Sequence, residues 1–95
     1  MRKYELMLIL NSSISEEERN SSLEELKKLL TENEVKIEKE DIWGDKKLAY
    51  KINKSDRGFY VVLSLDMDGK LIKELSKTIN LDKNIIRYMF AKLES

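Results

Sequence analysis

The feature that most constrains this chain is the order of its periodic segments. Strand-like alternation covers residues 2–10, 35–52, 59–67 and 85–93, and helical spacing covers about 15–33 and 68–80. Two split β-α-β units of this length fold as a ferredoxin-like βαββαβ sandwich of the α+β class, a four-stranded antiparallel sheet with two helices on one face. The right-handed crossover rule predicts the strand order 4-1-3-2 and leaves the other sheet face without a helix.

Length and composition exclude several classes of function. The 95 residues predict a single domain spanning 1–95, and the chain contains neither Cys nor His. Disulfides, thiolate metal sites and the commonest general base are therefore absent. The longest apolar run, LMLIL, is too short to span a bilayer, and the first residues lack the layout of a secretory signal. We expect a cytoplasmic protein that is not an enzyme, with no cofactor, no metal, no membrane association and no small-molecule substrate.

The charge balance limits how the chain could bind nucleic acid. Eighteen basic residues face eighteen acidic ones, so a strongly basic overall field is missing. Lysines greatly outnumber arginines in the sequence. Lysine suits phosphate as a point charge, whereas arginine supplies the planar fork that contacts bases. Any RNA contact is thus expected to be local and directed mainly at the RNA backbone.

Both helices have recognisable first residues and apolar stripes. Ser15 with Glu18 three residues later predicts a capping box, and Asp68 is a candidate cap for the second helix. The apolar positions recur at helical spacing. They are Leu23, Leu26, Leu29 and Leu30 in the first helix and Leu71, Ile72, Leu75 and Ile79 in the second.

The second extended segment cannot be one regular strand. Val35 and Ile37 have one parity, whereas Leu48, Tyr50 and Ile52 have the other, so a continuous strand would place them on opposite faces. A bulge or break must lie between them, and Gly44 is the best candidate. Trp43 is next to Gly44, and we expect it to cover the bend rather than to stack on a ligand.

The stretch RGFYVVLS, Arg57 to Ser64, resembles the third-strand signature of RNA-recognition motifs, in which outward aromatic residues stack on bases. The parity argues against that function. Phe59 shares its parity with the most apolar set of the strand, and burial of each large apolar side chain contributes roughly 1.5–3 kcal/mol. We therefore expect Phe59 in the core, and a stand-alone single-stranded RNA-binding module of this type remains the alternative.

The same parity argument defines what lies on the uncovered sheet face. In the last strand, Ile86, Tyr88 and Phe90 are assigned to the core side. The residues left for the uncovered face form an apolar patch, and such patches mark partner surfaces. We call this set the open face and predict that it binds a protein partner: Met7, Ile9, Tyr60, Val62, Ser64, Met89 and Ala91.

Three stretches carry a family resemblance over essentially the full length of the chain. MRKYELMLIL resembles the first strand of bacterial small-subunit ribosomal protein number six, with Arg2, Tyr4 and Glu5 in the expected places. WGDKKLAYKI is similar to the most specific stretch of that family, and IIRYMFAK resembles its last strand. The βαββαβ order and the length agree with this resemblance.

The resemblance implies a structural constituent of the small ribosomal subunit. It also implies binding to the central domain of 16S rRNA together with small-subunit ribosomal protein number eighteen. We expect RNA phosphate and sugar contacts from basic residues gathered at one end of the sheet. They are Arg2, Lys3, Lys46, Lys47, Arg87 and Lys92. A small enzyme or a ligand-binding regulatory domain on the same fold is a further alternative.

Overall fold

A computed structural model describes the backbone of residues 2–52 and 55–93, and the side chains of these residues except 48–52 and 55–56. Its elements are β1 (Arg2–Asn11), α1 (Glu16–Glu32), β2 (Lys36–Ile52), β3 (Ser55–Met67), a 3-10 turn (Gly69–Leu71), α2 (Ile72–Ile79) and β4 (Ile85–Lys92). The sheet order β2-β3-β1-β4 confirms the predicted 4-1-3-2 arrangement. All three strand pairs are antiparallel. Within the described ranges, no helix is long and apolar enough to cross a membrane.

The predicted caps fix where the helices begin. Ser15 Oγ accepts a hydrogen bond from the backbone N–H of Glu18 at 3.1 Å, which satisfies one of the free donors of the first turn of α1. The Asp68 carboxylate likewise accepts from the N–H of Lys70 at 3.0 Å and begins the 3-10 turn that leads into α2. The Ser15 cap is confirmed, whereas Asp68 caps the 3-10 turn and α2 itself begins after Leu71 without a side-chain cap.

The core lies between the sheet and the two helices. The parity prediction is confirmed for β3, since Val61, Leu63, Leu65 and Met67 are buried and Phe59 packs against them. From β1 the core takes Tyr4, Leu6, Leu8 and Leu10, and from the helices it takes Leu23, Leu26, Leu30, Leu75 and Ile79. The core is therefore formed by apolar residues that alternate along the strands and recur at helical spacing in α1 and α2.

The predicted bulge in β2 is present at Gly44. Ile42 pairs with Val61 and Gly44 with Tyr60, so one extra residue of β2 is accommodated there, and Gly44 has a φ of 84°. Two further register shifts occur in the same strand pair, between residues 37 and 39 and between 47 and 52. The sequence predicted one break where the strand pair has three. The side chains of Leu48, Tyr50 and Ile52 lie outside the described residues.

Two local predictions need correction. In β4, the register with β1 shifts so that Leu10 faces Ile85, and Ile85 packs against the core in the place expected for Ile86. Strand β3 begins at Ser55, four residues before the alternation over 59–67 predicts. Asn53 and Lys54 lie outside the described residues.

Gly69→Ala should destabilise the protein through Tyr4. A Cβ at position 69 would overlap the hydroxyl of Tyr4, whose side chain is only 9% exposed and has little room to move. Overpacking of this kind costs about 1–3 kcal/mol. Chemical denaturation should show that loss when Gly69→Ala is made in the unaltered chain. The loss should be much smaller when Gly69→Ala is added to Tyr4→Phe, because the nearest ring carbon would then lie 3.4 Å from the new Cβ. Equal losses in both variants would contradict the proposed contact.

Candidate functional site on the uncovered sheet face

The pairing of the strands brings the seven residues of the open face together. Across the middle of the sheet, Val62, Met7 and Met89 lie side by side on β3, β1 and β4. One step towards the end of β1, Tyr60 and Ile9 are neighbours, and one step towards its start, Ser64 and Ala91 flank Glu5. All seven residues therefore lie on the same face of the sheet, and the binding of a partner there stays a prediction.

Exposure differs strongly between the middle and the edge of the open face. Val62 and Ile9 are only 4% and 8% exposed although they lie outside the helix-covered core. Neighbouring side chains on the adjacent strands cover them, as expected for central positions of a sheet. Met89, on the edge strand β4, is 56% exposed. The accessible apolar surface thus lies towards β4 and not over the two central strands.

An aromatic pair borders the open face on the β2 side. Trp43, at the bulge, stacks on Tyr60 with 6.3 Å between ring centroids and 12° between ring planes. This is the offset-stacked arrangement that aromatic pairs favour. Trp43 nevertheless remains 50% exposed, so it covers Tyr60 while keeping half of its own surface accessible.

The prediction that the six basic residues gather at one end of the sheet is wrong. Lys3 lies opposite Asp66 and Lys92 opposite Tyr4, at the end where β1 begins. Lys46 lies opposite Gly58, which itself faces the last residue of β1. Eight residues of an extended strand separate the two ends by roughly 25 Å.

The two groups can be listed by position. Near the start of β1 are Arg2, Lys3 and Lys92, near its end are Lys46 and Lys47, and Arg87 lies opposite Ile9. The second group also includes Arg57, which faces Lys47 across the β2–β3 pair and is exposed. Arg57 was not among the basic residues predicted to contact RNA. The basic residue Lys47 on the paired strand was the signal that could have identified Arg57 as part of this group.

Lys3 is engaged within the chain. Its Nζ donates to Glu38 Oε1 at 2.7 Å, which links the start of β1 to β2 across the intervening strand. The hydrogen bond raises the pKa of Lys3 and lowers the pKa of the Glu38 carboxyl. A phosphate that binds Lys3 would therefore compete with a carboxylate already in place.

Lys3→Met should raise the pKa of Glu38 towards its ordinary value, because the hydrogen bond from Lys3 is the largest cause of its lowering and methionine has no donor. A lowered pKa in the folded state means that the pair stabilises the fold above the ordinary carboxylate pKa and ceases to do so as the pH falls through the lowered value. Carboxyl NMR titration of both proteins measures the change. An unaltered Glu38 titration would show that the pair does not persist in solution.

The described residues contain no cluster of three or more His, Cys, Asp or Glu side chains that could hold a metal ion. The site is instead a surface: a partly accessible apolar face with an aromatic pair on one side and cations at both ends. Together with the strand order, this surface defines a ferredoxin-like α+β protein that uses one sheet face for its core and leaves the other without a covering helix.

The family of this protein follows from its relatives. Residues 3–92 match the family described as Ribosomal protein S6. The chain belongs to that family, as the resemblance predicted, and it is a structural, non-enzymatic component of the small ribosomal subunit in the cytoplasm.

Individual relatives support the match over nearly the whole chain. The small ribosomal subunit protein bS6 of Clostridium acetobutylicum is 39% identical over 94 residues, which are 99% of each chain. That of Fusobacterium nucleatum is 39% identical over 92 residues, 97% of this chain and 98% of the relative. The crystal structure of 30S ribosomal protein S6 from Thermotoga maritima is 34% identical and superposes with a TM-score of 0.91, covering 97% of this chain and 87% of that one.

Proposed function

We propose that this protein binds the central domain of 16S rRNA jointly with small-subunit ribosomal protein number eighteen, which docks on the open face. The observation that carries the proposal is the apolar sheet face opposite the helices, with Met89 56% exposed at its edge. Apolar surface of this kind on a small protein favours a protein partner. Family membership supports an RNA-containing assembly as the setting.

The charge of the chain explains why RNA binding should need the partner. With 18 basic and 18 acidic residues, the chain has no net attraction for a polyanion. Part of its basic surface is also neutralised locally, as in the pair of Lys3 with Glu38. A basic partner held on the open face would supply the missing phosphate contacts, and the RNA affinities of the two proteins would then be linked.

The basic residues would contact RNA on both sides of the partner. We propose phosphate and sugar contacts that position the RNA without reading its sequence. The residues proposed for them are Arg2, Lys3, Lys46, Lys47, Arg87 and Lys92. Because these residues lie towards opposite ends of the sheet, the RNA would flank the docked protein instead of following one basic patch.

Filter binding to a transcript of the central domain tests this function. The transcript is titrated with this chain alone, with protein eighteen alone, and with both together. We expect weak binding by this chain, and a much higher affinity for the pair than for either protein. The proposal fails if the pair binds no better than protein eighteen alone, because the two binding events would then be independent.

The stand-alone RNA-recognition module is disfavoured by the position of Phe59. An RNA-recognition module requires the Phe59 ring on the open face, whereas Phe59 packs against the helix-side core. It further predicts tight binding by this chain without a partner, so the titration of the chain alone decides between the two functions.

A further inference from the structure

Trp43 is an accessible aromatic ring held in place by its surroundings. The ring of Trp43 stacks on Tyr60, and the backbone next to it forms the bulge at Gly44, where φ is 84°. Trp43 as a whole remains 50% exposed. A ring that is already stacked on a neighbour can accept a further flat group at a lower entropic cost than a free side chain, because less ordering is needed on binding.

The surroundings of Trp43 are basic on the side that leads away from the core. Past the pairing of Asn11 with Gly58, β2 and β3 continue as a two-stranded ribbon without β1 beside them. Lys46, where this ribbon begins, and Lys47, within it, are both exposed a few residues after Trp43. Lys46 lies opposite Gly58, two residues from Tyr60, and therefore projects on the same face as Tyr60.

The acidic groups nearest in sequence do not cancel this arrangement. Asp45 lies opposite Phe59 and so projects towards the helix side of the sheet. Asp41 projects on the open face but pairs with Lys39 at 3.6 Å. The aromatic ring and the ammonium group of Lys46 thus share one face, and a negatively charged ligand carrying a flat group matches both.

We propose that Trp43 is a base-stacking position, on which an unpaired RNA base stacks while Lys46 contacts an adjoining phosphate. Proteins that hold single strands combine stacking aromatics with a basic groove in this way. The inference rests on the proposed function, because it needs RNA at the ribbon end of the open face. It assigns an aromatic contact, whereas the proposed function uses phosphate and sugar contacts only.

Fluorine NMR can isolate this residue because Trp43 is the only tryptophan of the chain. The chain is labelled with fluorotryptophan and mixed first with unlabelled protein eighteen and then with the central-domain transcript. We expect the main change of the fluorine signal when the transcript is added to the protein pair. A full change on adding protein eighteen, with none on adding the transcript, would assign Trp43 to the protein contact and overturn the proposal. A signal that changes at neither step would overturn it equally.

Affinities of two variants give a second test. Trp43→Leu should weaken binding of the transcript to the pair by about tenfold, whereas Trp43→Phe, which retains a ring face, should lose much less. The matched control is Ile42→Leu, because Ile42 is 58% exposed and adjacent in sequence but faces the helix side. If Trp43→Leu does not fold, the fluorine signal still decides the question.

The outcomes separate this inference from the function on which it rests. If the pair binds the transcript jointly but Trp43→Leu binds as tightly as the unaltered chain, only the stacking inference is wrong. If joint binding is absent for the unaltered chain, the proposed function fails and the stacking inference fails with it.

Discussion

Replacing Met89 by glutamate is expected to abolish the gain in RNA affinity that this chain confers on protein eighteen. Met89 is 56% exposed on β4 and lies beside Met7, where the accessible apolar surface of the open face is greatest. A carboxylate there would be buried without a partner when the protein docks. Loss of an interface side chain that contributes strongly to binding costs about 2 kcal/mol, or about thirtyfold in affinity for the partner.

The measurement combines pull-down or calorimetry for the partner with filter binding for the RNA. Ile42→Glu is the matched control, because Ile42 has similar exposure, 58%, yet faces the helix side of the sheet. Both variants carry the same new charge, so a general effect on RNA repulsion should appear in both. Only Met89→Glu should lose the partner. Equal behaviour of the two variants would contradict docking on the open face.

The choice of Met89 depends on the exposure of the individual residues. Val62 has the same strand neighbour, Met7, but is only 4% exposed. A glutamate at Val62 would bury a charge in the free protein and destabilise it, so lost binding could not be separated from lost structure. Met89 allows a change in binding without that loss, since its side chain is largely in solvent before docking.

The alternation of the strands was sufficient to predict the fold and the membership of the open face. In β3, burial of the set from Phe59 to Met67 necessarily leaves Tyr60 and Val62 on the other side. Short-range signals were sufficient for the helix caps at Ser15 and Asp68, because these contacts involve residues two or three positions apart. These predictions depend on strand alternation and on contacts between residues close in sequence, and both can be inferred from the sequence.

The positions of the basic residues in the sheet depend on strand direction, which alternation alone does not define. β2 is antiparallel to β3, and β3 is antiparallel to β1, so β2 runs in the same direction as β1. Lys46, late in β2, must therefore lie near the end of β1, far from Lys3 at its start. Topology alone could have corrected this prediction. The exposure of Trp43 could not be predicted, because it depends on the side-chain packing at the bulge and on the stack with Tyr60.

Phe59→Ala should lower the free energy of unfolding by about 2–4 kcal/mol, because the partly buried ring packs against the core and its removal leaves a cavity. The ring also supports the guanidinium of Arg19, whose Cζ lies 3.9 Å from the ring centroid. Removing the guanidinium in Arg19→Met tests that contact separately, and should cost only about 0.5–1 kcal/mol. Urea denaturation of the two variants measures both contributions.

The binding of Phe59→Ala distinguishes a core residue from a stacking residue. At a temperature where the variant is still folded, the pair should bind the rRNA transcript with nearly unchanged affinity, because the ring lies on the helix side and away from the open face. Tyr60→Ala, one position along the same strand, is the matched comparison, since it removes the ring under Trp43 and should weaken transcript binding. A folded Phe59→Ala protein that lost RNA binding would reverse this assignment. Such a result would restore the reading in which RGFYVVLS presents Phe59 to a base, and the parity of β3 would then have to be explained in another way.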